Sequence, residues 1–189
     1  MITDISPQWE FREAKYYKKI INVDRTIRVV VMHDMEAPET GTTAESVANY
    51  FQHPDTESSA HLCIDNNSII RCVHDKDIAY AAPGCNSDGL QIEMAGYGSQ
   101  TRGQWLDFYG IGLLALASDA AAQYCLRHNL PPAHITNKQL EQGQRGIIGH
   151  YQASEVYKKS THTDPGKDFP WDYFINSVVN FYNARRVQS

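Results

Sequence analysis

Hydrophobic positions along the chain change their period several times, and each change predicts an element. Ile27, Val29, Val30, Val31 and Met32 form a nearly continuous β-branched run, the pattern of a strand buried on both faces and so central in a sheet. His33 then sits at its C-terminal edge. Thr42-Thr43-Ala44-Glu45 has capping-box spacing, and Ala44, Val47, Ala48 and Phe51 recur at helical intervals, which predicts a short amphipathic helix ending before Pro54. Two strand-like runs follow, 60–65 and 68–73, joined at Asn66-Asn67, where asparagine tolerates the left-handed backbone of a tight turn; a hairpin is expected. Leu90-Gln91-Ile92-Glu93-Met94 alternates strictly, so Leu90, Ile92 and Met94 share one face of a strand and Gln91 and Glu93 the other. From about Gln104 to Arg127, Ile111, Leu114, Ala117, Ala121, Tyr124 and Cys125 follow helical spacing, with a stop at His128-Asn129 before Pro131-Pro132. A last helix is expected from Pro170, carrying Trp171, Phe174, Ile175, Val178, Val179 and Tyr182 on one stripe. Strands and helices are thus mixed, and the hairpin excludes a purely parallel sheet. The predicted fold class is α/β, a central mixed β-sheet with helices packed on its faces.

Composition narrows the function. The 189 residues, 42% of them hydrophobic, suit one domain with its own core. Seventeen Lys and Arg against 22 Asp and Glu leave a net charge of -5, so there is no basic excess to neutralise a phosphate backbone, and nucleic acid is not an expected partner. No apolar run approaches the ~20 residues that span a bilayer, and Met1-Ile2-Thr3-Asp4 lacks the basic-then-apolar order of a secretory signal. The expectation is a monomer without membrane attachment. Cys63, Cys72, Cys85 and Cys125 make no Cys-x-x-Cys pair and read as small buried hydrophobes. A turn at Asn66-Asn67 pairs Cys63 with Ile70, a register that disfavours a Cys63–Cys72 bridge and fits a reducing compartment. Residues 1–26 mix aromatic and basic side chains without a clean period and read as an arm packed on the domain formed by residues 27–189.

Eight histidines raise the question of which are ligands. His53, His74 and His128 lie in polar or turn-like segments and read as surface residues, and His134 as a packed strand residue. His33 and His150 differ because each ends a short apolar run, where a sheet delivers side chains to one rim. Asp164 follows His150 by 14 residues, and its Pro165-Gly166 neighbour sets a turn that would hold a carboxylate rigidly. Two imidazoles and one carboxylate with an open fourth position make a catalytic zinc set. The same residues also allow a plainer arrangement, with His33 buried, His150 in a loop and Asp164 capping a turn.

Five ordered blocks carry a resemblance: Val30-Val31-Met32-His33; Ser59-Ala60-His61-Leu62; the segment from Asn86 to Glu93; Gly149-His150; and Thr163-Asp164-Pro165-Gly166 followed by Phe169-Pro170-Trp171. The chain resembles the zinc-dependent N-acetylmuramoyl-L-alanine amidases of the amidase-2 family, which also includes the peptidoglycan recognition proteins. The resemblance implies zinc held by His33, His150 and Asp164, with Glu93 as general base. It places His162 where many members have lysine, as the group that stabilises the oxyanion. Because an unperturbed imidazole titrates near ~6.5 and lysine does not, that contribution is expected to depend on pH. Ala60 stands where some members have a tyrosine near the metal, which leaves the proton transfers to Glu93. His61 and Asn86 fall in matching blocks and are candidate contacts for the muramyl peptide. The implied reaction is hydrolysis of the amide between N-acetylmuramic acid and L-alanine in peptidoglycan. The implied setting is a phage endolysin held in the host bacterial cytoplasm until it is released to the cell wall. The alternatives are a cytosolic muropeptide-recycling amidase and a peptidoglycan-binding module without catalysis.

Overall fold

The computed structural model describes residue 6 and residues 8–188. Along the chain come β1 (Tyr17–Lys18), β2 (Val29–Asp34), α1 (Thr43–Tyr50), β3 (Leu62–Ile64), β4 (Ile69–Arg71), β5 (Ile78–Ala79) and β6 (Gly89–Met94). There follow α2 (Arg102–Trp105), α3 (Phe108–Arg127), α4 (Asn137–Glu141), β7 (Gly146–Gly149), α5 (His150–Tyr157) and α6 (Trp171–Gln188). Five strands form one sheet in the order β4-β3-β6-β2-β7, parallel throughout except for the β3–β4 hairpin. The sheet is therefore mixed, and β2 is buried along its whole length between β6 and β7.

The two faces of the sheet bury different partners. Val30 and Met32 of β2, with Leu90, Ile92 and Met94 of β6, join the large core under α3 and α6. Val29 and Val31 point the other way, into a smaller core with Ile148, Leu140 and Ala153 under α4 and α5. On the same side, Cys63 and Ile70 pack against Ala44 and Ala48 of α1. These two smaller cores leave a gap between them at the C-terminal ends of β2 and β6, and in parallel sheets that is where ligands bind.

Several local features differ from the sequence expectation, each for a physical reason. The helix expected from Gln104 is two helices, because the Asp107 carboxylate caps α3 by accepting from Gly110 N at 2.9 Å while Trp105 turns wholly into the core. Ile111, expected on the apolar stripe, is 47% exposed. Thr42 makes no side-chain cap on α1; the buried Asp65 does so from the hairpin, its Oδ2 accepting from Ala44 N at 3.0 Å. Asp65 Oδ1 accepts from Asn67 N and Ser68 N, so a carboxylate closes the hairpin turn, and neither asparagine has a positive φ. The register does pair Cys63 with Ile70, and all four cysteines are buried and free, although Cys72 Sγ lies 3.8 Å from Cys63 Sγ.

The N-terminal segment lies along the α1–β4 side of the sheet. Arg12 N and Ala14 N donate to Arg71 O and Cys72 O, Lys15 N donates to Phe51 O, and β1 pairs antiparallel with β5. Residues 1–5 and 7 of the expected arm lie outside the described residues. Arg25 inserts its guanidinium among the carbonyls of Asp75, Asn86, Ser87 and Gly89. Burial pulls its pKa down to about 10 against the raising effect of Tyr124 and Asp75. No helix among the described residues is long and apolar enough to cross a membrane.

Candidate metal centre and cleft

Each residue of the site owes its position to an element end. His33 is the penultimate residue of β2, and its register partner on β6 is Glu93, so their side chains leave the same face of the sheet. That face is the one opposite the large core, as the alternation of Val30 and Met32 requires. β7 ends at Gly149 and α5 opens with His150, which places that imidazole one strand away from His33. Asp164 comes from the later loop, held by Tyr151 N donating to its carbonyl at 3.0 Å and by the turn in which Gly166 N donates to Thr163 O. Gly166 has φ +93°, and a Cβ there would stand 2.0 Å from Gly98 O, so only glycine lets this turn close against the loop that follows β6.

The three side chains meet. One ligand atom from each of His33, His150 and Asp164 lies within 4.8 Å of the others, and all three residues are buried. Asp164 Oδ2 is 3.0 Å from His33 Nδ1, and Asp164 Oδ1 is 3.2 Å from His150 Nδ1. Oδ1 is buried yet has no hydrogen-bond partner. A buried, unsatisfied carboxylate oxygen is costly unless a cation completes it. Two imidazole nitrogens beside such a carboxylate form a donor set that fits a zinc ion. The ring of His162 stacks on that of His150 at 4.5 Å, and its Nδ1 is 3.5 Å from Asp164 Oδ1, while 65% of its side chain stays exposed at the mouth.

Electrostatics at the site follow from burial set against these contacts. Burial pushes the Asp164 carboxyl up, but His150 and His33 override it and hold the group well below the usual carboxylate range. Burial lowers the His33 pKa, but Glu93, Asp164 and Gln91 more than offset this and raise it to about 9. Glu93, with Oε1 4.0 Å from His33 Nδ1, is pushed up to about 7 by burial and by Asp164 against the pull of His33. Asp34, the next residue after His33, is raised to about 8, chiefly by burial, against the lowering contact from Glu36 N, and its Oδ2 has no partner.

These groups line a cleft of about 600 Å³ whose other walls include Tyr50 and Phe51 at the end of α1, Ser58, and Tyr80. Among the lining residues the charged ones are Asp34, Glu36, Glu93 and Asp164, all acidic besides the histidines. Sequence reading missed Asp34 and the two tyrosines; adjacency to His33 was a signal for the first, and nothing in the spacing pointed to Tyr50 or Tyr80.

Two residues expected to contact the substrate, His61 and Asn86, lie away from the cleft. His61 is fully buried: its Nδ1 accepts from Gln91 N at 2.9 Å and its Nε2 lies 2.9 Å from the Arg25 guanidinium, so both nitrogens tie strands and loop together away from the cleft. Asn86 does not line the cleft either; its Oδ1 accepts from Ala81 N and Ala82 N, shaping the loop that brings Tyr80 and Ala81 to the wall. Among the other histidines, His53 is exposed. His74 and His128, read as surface, are half-buried, with His74 against Phe11 and His128 lowered to about 4 by burial and nearby arginines. His134 stacks on Trp171 at 3.8 Å and bonds Gln152 at 2.7 Å. Ala60 is buried and contributes nothing to the site.

The Amidase_2 profile, N-acetylmuramoyl-L-alanine amidase, matches residues 23–167, more than half of the chain. The chain belongs to this family of enzymes. No curated protein sequence is similar enough to count as a relative. Among solved structures, the Staphylococcus aureus hydrolase AmiA, crystallised with its ligand, is similar at TM-score 0.74 and 16% identity, over 95% of this chain and 85% of that one. An AmpD derivative is similar at TM-score 0.62 and 16% identity, over 94% and 99%. A mutant endolysin from Bacillus subtilis is similar at TM-score 0.56 and 16% identity, over 90% and 99%. At such identities these likenesses speak for the fold: a mixed sheet with helices packed around it.

Proposed function

We propose that the chain hydrolyses the amide bond between N-acetylmuramic acid and L-alanine in bacterial peptidoglycan, with a zinc ion held by His33 Nδ1, His150 Nδ1 and the Asp164 carboxylate. The observation that carries this reading is the buried cluster of those three donors around the unsatisfied Asp164 Oδ1. Amide resonance makes the carbonyl a poor electrophile and the amine a poor leaving group, so a nucleophile, oxyanion stabilisation and a proton for nitrogen must all be supplied. Zinc bound there supplies Lewis acidity to the carbonyl and to water. Glu93 takes the proton of the attacking water and returns it to the departing L-alanine nitrogen; a carboxyl near pKa about 7 before metal binding suits both transfers. His162, exposed at the mouth and stacked on His150, donates to the tetrahedral oxygen. Tyr50, Phe51 and Tyr80 offer flat apolar walls to a sugar ring and its peptide stem.

The setting we infer is a phage endolysin, acting on intact walls. Similarity to an endolysin fold and the open mouth at His162 support it. The AmpD-like fold keeps a second reading in view, turnover of small soluble muropeptides. Purified sacculi and soluble muropeptides, offered to the same preparation, separate the two: cleavage of the fragments alone removes the endolysin reading. The chemistry itself is tested by zinc content and by release of L-alanine-terminated peptides from purified walls, for the parent and for His150→Ala. The parent is expected to carry one zinc per chain and to release peptides, and the variant to lose both. A parent that cuts walls fully after exhaustive chelation overturns the metal reading.

A further inference from the structure

Gln91 is a polar side chain enclosed beside the metal cluster. It lies in β6 two residues before Glu93, so both leave the same face, and it is fully buried. Its amide bridges two groups: Oε1 is 2.9 Å from His33 Nε2, and Nε2 donates to Cys85 O at 3.3 Å. A backbone carbonyl only accepts, so the amide end facing Cys85 is the NH2 group and the end facing His33 is the carbonyl oxygen. That oxygen can only accept in turn, so the proton of the His33 ring belongs on Nε2. A neutral imidazole protonated at Nε2 keeps its lone pair on Nδ1, the atom that lies 3.0 Å from Asp164 Oδ2 and faces the metal cluster.

The surroundings close tightly on the hydrogen bond to Cys85 O. A Cβ on Gly89 would stand 2.8 Å from Gln91 Nε2 and 2.4 Å from Cys85 O, so the backbone closes on this bond and glycine leaves the space it needs. His150 has a weaker arrangement. Its Nε2 is 3.3 Å from Ser160 Oγ, a hydroxyl that donates or accepts equally well and that also bonds Ser154 Oγ at 2.6 Å. A hydroxyl rotor follows the imidazole, whereas the amide pinned by Cys85 dictates to it.

We propose that Gln91 is the positioning residue of the metal centre: its amide, oriented by the Cys85 carbonyl, holds His33 in the tautomer and ring orientation that present Nδ1 to the metal. This rests on the zinc reading above. The partner is neutral, so the lock adds no charge to an already acidic cleft. Outer partners of metal-binding histidines govern affinity, and their loss typically costs ~10–100-fold.

The test is zinc affinity, measured by competition with a chromophoric chelator on full-length protein, with no substrate present. Gln91→Met keeps the bulk but removes the acceptor, and is expected to weaken zinc binding by ~10–100-fold. Gln91→Glu keeps an acceptor towards His33 but loses the donor towards Cys85 O, and is expected to recover part of that loss, whereas Ser160→Ala changes affinity less than about 3-fold. Equal zinc affinity in parent and Gln91→Met overturns the proposal, and so does an equal loss in Gln91→Met and Gln91→Glu, which would mark a packing role. A parent that binds no zinc removes the metal reading itself, a result distinct from either. Should Gln91→Met fail to fold, nitrogen-15 spectra of the zinc-loaded parent decide: the His33 ring proton is expected on Nε2, and a proton on Nδ1 with metal at Nε2 overturns the assignment.

Discussion

In the proposed reaction, Glu93 carries the proton transfers of the cleft. It is nearly enclosed, 13% exposed, and stands within 4.0 Å of the His33 ring without contributing a ligand atom to the cluster. Replacing it with glutamine keeps size and polarity but removes the carboxyl that the proposed proton transfer needs. Glu93→Gln is therefore expected to lower kcat on purified walls by ~10²–10⁴-fold while zinc content stays at the parental level. Loss of zinc along with activity would assign Glu93 to the metal rather than to the proton. Its orientation was legible in the sequence because strict alternation in 90–94 permits only one outcome once Leu90, Ile92 and Met94 are buried. His61 was not legible in that way. The partners that bury it, Arg25 and Gln91 N, reach it from distant parts of the chain, and no local pattern announces an arginine that will fill the space beside it.

The same contrast holds for elements. Thr42 to Glu45 carries the spacing of a capping box, yet α1 is capped by Asp65, which reaches it from the β3–β4 hairpin and closes that hairpin's turn with its other oxygen. One buried carboxylate thus ties helix to sheet. Asp65→Ala is expected to destabilise the protein by ~2–3 kcal/mol, since it strands several buried or half-buried N–H groups at once. Thr42→Ala is expected to stay within ~0.5 kcal/mol. Denaturant melts of the two variants measure this, and comparable losses from both would show that the local box caps the helix after all. The break between α2 and α3 has a similar origin: helical periodicity runs through residues 104–127, but turning Trp105 fully into the core beside Phe169 requires a fresh start at Asp107.

At the scale of the whole molecule, the cleft sets how stability responds to pH. Asp34, Glu93 and His33 hold protons more tightly in the folded metal-free chain than when unfolded, at about 8, about 7 and about 9. A raised folded pKa contributes stability that is complete below the unfolded value and is lost as pH rises through the folded one. All three groups act in the same direction but in successive windows: Glu93 up to about pH 7, Asp34 up to about pH 8, and His33 from its unfolded value near ~6.5 up to about pH 9, where His33 alone accounts for about 2 kcal/mol. His61, His128 and His150 are shifted the opposite way, first by burial, so their contribution is present above about 6.5 and is lost as pH falls below it. The chelated protein is expected to melt highest near neutrality and progressively lower towards pH 9. Added zinc competes with protons for His33, so it should bind more tightly with rising pH and shrink that alkaline loss. Melting temperatures taken with chelator and with zinc across this range check both statements; a flat or rising profile in chelator contradicts the first.

Periodicity along the chain was enough to establish a mixed sheet with a buried central strand, a hairpin, two long helices and the rim on which His33 and Glu93 stand. Such features are local: they depend on which face of a strand or helix must leave water, and neighbouring residues decide that. Ordered motifs added the family and drew attention to His150 and Asp164. Only folding in three dimensions brought those two groups to within a few ångströms of His33, left one oxygen of Asp164 without a proton donor, and set the Gln91 amide between His33 and Cys85. The contacts of His33 with Gln91 and Asp164 join residues 58 and 131 positions apart in the chain, and their geometry comes from how elements pack, which no window of sequence contains.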